Sequence, residues 1–296
     1  MKGTQLHPFQ YYSATNLTEA ISLLSRYGER ARVLAGGTDL LVQLRGERFE
    51  LDAVVDVKHV PEIMELSFLD GALTVGAAVP CYQIYENESI TKVFPGIIDA
   101  ASLIGGIQVQ TRASLGGNLC NATPSADGIC PLIVHSAVAT ITGVDGTRTV
   151  PVEDFCTRPG VNALNSGELL INIRIEARPT HFGAAYQRFI PRNEMDIAVA
   201  GVAASVVLDT KGEHIESGRI ALAAVGPTPV FAKQASDFLT GQPATAETFA
   251  QAGEIALTES SPITDMRGTI VQRKHLVGVL TRRTLAAATE RAQGNV

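Results

Sequence analysis

The sequence predicts an α+β protein in two parts. A larger N-terminal portion combines two α/β subdomains, a small parallel sheet beside a mixed sheet. A smaller C-terminal α+β domain follows, with a short antiparallel sheet and helices. Three observations carry this reading. Short apolar runs alternate with helical stretches up to about residue 60, as in parallel strands joined by crossover helices. Asp-Gly pairs at 70–71 and 145–146 sit between apolar runs, the mark of tight hairpins. Beyond Arg178-Pro179-Thr180, a hairpin-like pair is followed by three helical stretches. The boundaries drawn are 1–180, with subdomains of about 1–60 and 61–180, and 181–296.

In chain order, Leu17, Ala20, Ile21, Leu24 and Tyr27 fall at helical spacing, with Asn16 and Glu19 as a start box and Gly28 as the stop. Residues 32–35 read as a buried strand ending in Gly36-Gly37, and Thr38 or Asp39 is placed to cap a helix over 40–44. A second buried strand covers 53–57. Hairpins follow at 64–75 around Asp70-Gly71 and at 137–150 around Asp145-Gly146, separated by a helix over 95–104 that Gly105-Gly106 closes. Strict alternation at Ile171, Ile173 and Ile175 marks a strand over 169–175. Strands at 198–208 and 219–225 flank Lys211-Gly212, and helices cover 231–239, 247–257 and 270 to about 291.

The chain has 296 residues, 45% of them hydrophobic, and a net charge of −6. Those numbers suit a globular protein with a sizeable core and argue against nucleic acid, which asks for a concentrated basic stripe. No apolar run is long enough to span a bilayer, and Met1-Lys2-Gly3-Thr4-Gln5 lacks the apolar core of a secretion signal, so a cytoplasmic location is expected. Cys81, Cys120, Cys130 and Cys156 are too widely and irregularly spaced for a zinc or iron–sulfur site. They are expected to be free thiols, as small hydrophobes or as a reactive group at Cys120 or Cys130. The histidines are scattered, so no metal site is expected, and His135 lies in an apolar run as a packed side chain.

Two double-glycine strings carry the functional reading: Ala35-Gly36-Gly37-Thr38-Asp39 and Ser114-Leu115-Gly116-Gly117-Asn118. Glycine tolerates positive φ and lets main-chain N–H groups approach an anion closely. Neither string matches the dinucleotide fingerprint or the P-loop. The first follows a strand and precedes a helix start, an arrangement that turns free N–H groups towards a phosphate. The second lies in residues 110–127, a run of small and hydrogen-bonding residues read as too irregular for a simple strand or helix.

Leu-Ala-Gly-Gly-Thr-Asp-Leu-Leu at 34–41, followed by Thr-Arg-Ala-Ser-Leu-Gly-Gly-Asn-Leu-Cys-Asn-Ala-Thr-Pro-Ser-Ala-Asp at 111–127, closely resembles the FAD-binding (medium) subunits of molybdenum hydroxylases, the xanthine dehydrogenase and carbon monoxide dehydrogenase family. The resemblance spans the chain. It implies that Val33, Leu34, Ala35, Gly36, Gly37, Thr38, Asp39 and Leu40 run along the FAD diphosphate. Ala113, Ser114, Leu115, Gly116, Gly117 and Asn118 would form the second wall. Asp127 matches the family's acidic residue at the flavin, although capping a helix near Gly128 is the alternative. Leu170 matches an apolar contact, and Arg188 stands where the family often has Lys. Arg keeps the charge but changes its shape, and both Arg188 and Arg192 can also be read as solvated surface charges.

The resemblance further implies a division of labour. A large molybdopterin subunit hydroxylates a substrate, a small subunit relays electrons through two [2Fe-2S] clusters, and this chain carries them on FAD, its sole cofactor, to NAD⁺ or another acceptor. A dimer of heterotrimers is the implied assembly. The loop 189–196 is read as governing acceptor access, and a bulky residue at Gly36 or Gly116 is expected to abolish flavin retention without loss of a soluble fold. Two rival readings are a stand-alone flavin oxidoreductase of the vanillyl-alcohol-oxidase-like class and a non-catalytic assembly subunit.

Overall fold

Three short strands, β1 (Gln10–Ser13), β2 (Ala31–Leu34) and β3 (Ala53–Asp56), pair in parallel in the order β1-β3-β2. This computed structural model describes residues 7–294, so the segment Met1–Gln5 read for a secretion signal lies outside the described residues. All of β3 is buried, which explains its apolar Ala53-Val54-Val55, and the buried Asp56 closes it. Strand β1 precedes the helix from which the sequence reading starts. Its Gln-Tyr-Tyr-Ser is largely exposed and shows no apolar alternation, so only pairing with β3 defines it.

The helix Leu17–Tyr27 begins where expected. Asn16 Oδ1 accepts from the Glu19 N–H at 2.9 Å, while the Glu19 carboxylate accepts from the Thr15 N–H, one residue earlier than a capping box places it. Gly28, at φ +53°, ends it.

The second sheet contains β4 (Leu66–Leu69), β5 (Ala72–Gly76), β6 (Val138–Gly143) and β7 (Gly146–Pro151). After a small ribbon of β8 (Cys156–Arg158) and β9 (Val161–Asn162), β10 (Leu169–Ile175) inserts between the two hairpins. The order is β4-β5-β10-β6-β7. Expected to mix directions, this sheet is antiparallel throughout, because β10 runs opposite to both of its neighbours. Asp70 and Gly71 both have positive φ, as a tight hairpin turn requires. In the other hairpin Gly143 pairs with Gly146, so the turn is Val144-Asp145, one residue earlier than read from the sequence.

Short helices fill the long crossover from β5 to β6. The helix expected over 95–104 ends sooner, as Pro95–Ala101. The run 110–127 is irregular only in part: the helix Ile107–Gln110 ends in it and Leu115–Asn121 is helical, whereas 111–114 and 122–127 are turns and irregular chain, before the helix Ile129–Val134. Glycines disfavour a helix by propensity, and tertiary packing overrides that here.

The C-terminal sheet, β11 (Phe182–Phe189), β12 (Ala200–Leu208), β13 (Ile215–Ala223) and β14 (Val230–Phe231), is antiparallel in sequence order. Helices Lys233–Leu239, Ala246–Glu259 and Ile270–Ala292 complete it. Leu280, Leu285 and Ala288 of the last helix join Val202, Val206 and Leu222 in one apolar cluster. The Arg291 guanidinium binds the Asp99 carboxylate at 2.6 Å, and the Tyr186 N–H donates to the same carboxylate, tying this sheet to the preceding helices. Among the described residues no helix is long and apolar enough to cross a membrane.

Close contact between β11 and the last helix depends on Gly183. A Cβ there would overlap the Ala288 carbonyl oxygen and the Ala292 nitrogen, which are backbone atoms unable to swing aside. Replacing Gly183 with Val is expected to cost ~1–3 kcal/mol or more of unfolding free energy through overpacking. Urea denaturation of the variant checks this.

Candidate functional site

A cleft of about 770 Å³ is lined by most of β2 and the loop after it, by Ala77 and Ala78, by Ala113, Ser114 and residues 116–118, and by the segment leading into β10. That volume lies in the range of cofactor pockets. The first wall forms because β2 is an edge strand whose pairing stops early. The Val57 N–H reaches the Leu34 carbonyl at 3.2 Å, and the chain then leaves the sheet. Gly37, at φ +74°, makes the turn, and the Leu41 N–H bonding to the Gly37 carbonyl at 3.1 Å starts the helix Leu40–Arg45. Asp39 occupies the cap position without a side-chain capping bond. Among the described residues the N–H groups of Gly36, Gly37 and Thr38 donate to no backbone carbonyl. Such a row of free donors is a natural seat for an anion.

In the second wall, Ser114 caps the helix Leu115–Asn121 by accepting from the Gly117 N–H at 3.0 Å. Asn118 Oδ1 accepts from the Gly128 N–H at 3.0 Å and links this wall to the Asp127 segment.

The glycines have different tasks. A Cβ on Gly36 would overlap the Arg112 carbonyl and stand 3.0 Å from the Ala113 nitrogen. A Cβ on Gly116 would overlap the Ala77 backbone. These two positions join protein to protein, so the expectation that bulky residues there spare the fold is corrected: they would force the walls apart. Gly117 differs. A Cβ there meets only Ser114 Oγ, at 3.0 Å, and its open side lines the cleft.

Of the residues singled out from the sequence, Val33, Ala35, Gly36, Gly37, Thr38, Asp39, Leu40, Ala113, Ser114, Gly116, Gly117, Asn118 and Leu170 line the cleft. Leu34 packs instead against the small cluster of Leu44, Leu51 and Val54, and Leu115 is buried in the main core. Asp127 and Arg188 lie outside the lining residues and form a buried ion pair. The Tyr186 hydroxyl donates to the other Asp127 oxygen at 2.7 Å. Burial pushes the Asp127 carboxyl up to about 6, against the opposing pull of Arg188 and Tyr186. Asp127 caps no helix, since the helix Ile129–Val134 has Gly128 at its cap and no side-chain bond there. Arg188 is not solvated, with 5% of its side chain exposed, whereas Arg192 is 70% exposed.

His135 is fully buried against Phe94 and Phe182, donates from Nδ1 to the Pro131 carbonyl at 2.7 Å, and is held neutral by burial, its pKa pushed down to about 3. Burial raises all four cysteine thiols, Cys120 to about 12, which disfavours the reactive thiolate. Among the described residues no cluster of three or more His, Cys, Asp or Glu side chains could hold a metal. Sequence reasoning missed Glu168 at the cleft's edge. It accepts two hydrogen bonds from Arg148, at 2.7 and 2.6 Å, and one from the Asn165 N–H at 2.6 Å. The partners are 20 and 3 residues away, and only the tertiary pairing of β6, β7 and β10 reveals the longer link.

A long cleft with free N–H donors on one wall and open glycine surface on the other defines a binding subunit for a large, phosphate-bearing cofactor. Residues 7–177 match the family described as the FAD binding domain in molybdopterin dehydrogenase, and residues 184–288 match the CO dehydrogenase flavoprotein C-terminal domain. The chain is 32% identical to the xanthine dehydrogenase FAD-binding subunit of Escherichia coli O157:H7, covering 97% of this chain and 98% of that one. It is 28% identical to the carbon monoxide dehydrogenase medium chain of Hydrogenophaga pseudoflava, covering 96% and 98%. The solved carbon monoxide dehydrogenase from that organism superimposes with a TM-score of 0.92 at 28% identity, over 97% of this chain and 99% of that one. Quinoline 2-oxidoreductase from Pseudomonas putida 86 gives 0.89 at 28% identity, over 97% and 99%. The chain therefore belongs to the FAD-binding (medium) subunits of xanthine and carbon monoxide dehydrogenase-like molybdenum hydroxylases, and its cofactor is FAD.

Two outcomes follow from this geometry. Gly117→Ala should weaken FAD binding about tenfold, the equivalent of ~1.4 kcal/mol. The flavin-free chain should be as stable as before or slightly more so, because Ala favours a helix. Flavin fluorescence titration and thermal unfolding of the flavin-free chain read the two effects separately. Hydrogen bonds from Arg148 hold Glu168 down at about 2, below the ordinary value near 4.3. A depressed carboxyl stabilises the fold above its unfolded pKa, so this contribution is lost as pH falls from about 4.3 to 2. Glu168→Gln should flatten that acid limb in denaturation curves taken across the interval.

Proposed function

We propose that this chain is the electron outlet of a three-component molybdenum hydroxylase. A small partner subunit carrying [2Fe-2S] clusters delivers electrons, a large molybdopterin subunit hydroxylates the substrate, and NAD⁺ or another acceptor takes the electrons away. Bound FAD supplies the step between one-electron delivery and two-electron release. The observation that carries the reading is the row of N–H groups at Gly36, Gly37 and Thr38 that no backbone carbonyl accepts, on residues that line the same cleft as the side-chain-free Gly117.

In this reading Gly36, Gly37 and Thr38 hold the diphosphate by main-chain dipoles, so the cleft needs no large positive field. The net charge of −6 is compatible with that. Gly117 and Asn118 close the second side, and Leu170 supplies an apolar contact. Asp127 and Arg188 act as a pair, through the Asn118–Gly128 hydrogen bond, rather than as two independent contacts. The chain divides for this task near residues 178–183, between the two family matches. The complex works in the cytoplasm as a dimer of heterotrimers.

The loop around Arg192 governs the acceptor. Its Met195 side chain stands about 3.1 Å from where a Gly106 Cβ would be, two residues along the chain from the cleft-lining Ile104, and Arg192 is held by Asp196 at 3.2 Å. In the assembled complex, Arg192→Glu should change turnover with NAD⁺ or with an artificial acceptor severalfold while the flavin content stays at one per chain. Steady-state assays with both acceptors check this, and unchanged turnover with both would contradict the role given to the loop. A purified wild-type complex that reduces its iron–sulfur clusters but never its flavin would contradict the electron route itself.

A further inference from the structure

Behind the first wall stands a polar brace that the cofactor contacts do not include. Lys58 follows the end of β3. Its Nζ donates to Asp56 Oδ2 at 2.7 Å and to the Ala35 carbonyl at 3.2 Å. Asp56, 4% exposed, is satisfied on every side, since the Tyr11 hydroxyl reaches Oδ2 at 2.6 Å and the Lys58 N–H reaches Oδ1 at 3.0 Å. Burial pushes this carboxyl up, but the hydrogen bonds from Lys58 and Tyr11 outweigh it and hold it below the usual range. The carboxylate is thus a fixed anchor, and the ammonium is fixed upon it.

Ala35 follows the end of β2, where the parallel pairing has closed with the Val57–Leu34 bond and the chain has left the sheet. Among the described residues no backbone N–H donates to the Ala35 carbonyl, and Lys58 Nζ is its donor. That fixes more than one atom. The chain has no cis peptide bonds among the described residues, and in a trans peptide the C=O and N–H point in opposite directions. Holding the Ala35 oxygen on the β3 side therefore turns the Gly36 N–H away from β3, on a segment that lines the cleft and offers that N–H no backbone acceptor. The contact of the Gly36 Cα with the Arg112 carbonyl limits movement of the same residue from another side. Lys58 itself is not among the cleft-lining residues.

We infer that Lys58 is a positioning residue for the cofactor: anchored on Asp56 and Tyr11, it fixes the Ala35–Gly36 peptide so that the Gly36 N–H is presented to the FAD diphosphate. The inference rests on the proposed seat of the diphosphate at residues 36–38. A flexible peptide would have to be ordered at each binding event, and a fixed one has already met that cost.

The test titrates the full chain, stripped of flavin, with FAD, following flavin fluorescence. Wild type is compared with Lys58→Met, Lys58→Arg and Gly117→Ala, and circular dichroism with thermal unfolding of each flavin-free chain monitors the fold. Hydrogen bonds from charged groups are worth enough for a tenfold effect. Lys58→Met should raise the FAD Kd about tenfold with the circular dichroism spectrum preserved, and Lys58→Arg, which keeps a cationic donor, should recover most of the loss. The ³¹P resonances of bound FAD should move in Lys58→Met and return towards wild type in Lys58→Arg, a signature that general loosening of the fold would not restore. If Lys58→Met does not fold, Lys58→Gln is read in its place, since the Lys58 side chain is 29% exposed and a polar end is tolerated there. A wild-type Kd for the neutral variant, or an arginine variant as weak as the neutral one, overturns the inference. Gly117→Ala separates the levels. If it weakens FAD binding and the neutral Lys58 variant does not, only the brace fails, whereas wild-type binding by both removes the diphosphate seat itself.

Discussion

The cleft exists because two backbone segments touch where side chains would keep them apart. Gly36 presses its Cα on the Arg112 carbonyl, and Gly116 presses on Ala77. The first contact joins the loop after β2 to the crossover between β5 and β6, and the second seats the helix Leu115–Asn121 of that crossover on the residue that follows β5, leaving the remaining glycine surface for a ligand. A methyl group at either point would overlap carbonyl backbone that is itself fixed by neighbouring hydrogen bonds, including that from the Cys81 N–H to the Ala113 carbonyl at 2.8 Å. Protein interiors are too closely packed to absorb such an overlap without moving whole elements.

Around this junction the polar groups fall into two kinds. Some are consumed by the frame. Asp127 is shared by Tyr186 and Arg188, Glu168 is held by Arg148, and Asp99 is held by Arg291. Others are left open, above all the N–H groups of residues 36–38. Buried charges are tolerable when paired, whereas unpaired main-chain donors at a surface cleft are free to meet an anion. The frame thus supplies rigidity and the loops supply affinity. An acidic protein can in this way bind a diphosphate through dipoles arranged over a few residues.

Much of the architecture was legible in local patterns. The Asp70-Gly71 turn, the capped helix Leu17–Tyr27 and the alternation of Ile171, Ile173 and Ile175 all depend on neighbours in sequence. Both glycine strings were visible for the same reason, and most of the residues picked from them line the cleft. Features that depend on distant partners were not legible. Strand β1 exists only through β3, and the sheet directions were misjudged because β10 crosses from far along the chain. The helix at Leu115–Asn121 was hidden behind two glycines whose poor propensity is overruled where Gly116 meets Ala77. Asp127 could be singled out, but its engagement by Tyr186 and Arg188, 59 and 61 residues away, has no local signal.

The central claim is that the FAD diphosphate is seated between residues 36–38 and 114–118. A crystal structure of the FAD-loaded chain tests it most directly. Diphosphate oxygens within hydrogen-bond distance of the Gly36, Gly37 or Thr38 N–H groups, with Gly117 facing the cofactor, is the predicted result. Electron density for the diphosphate anywhere else, with those N–H groups turned to water, would contradict it.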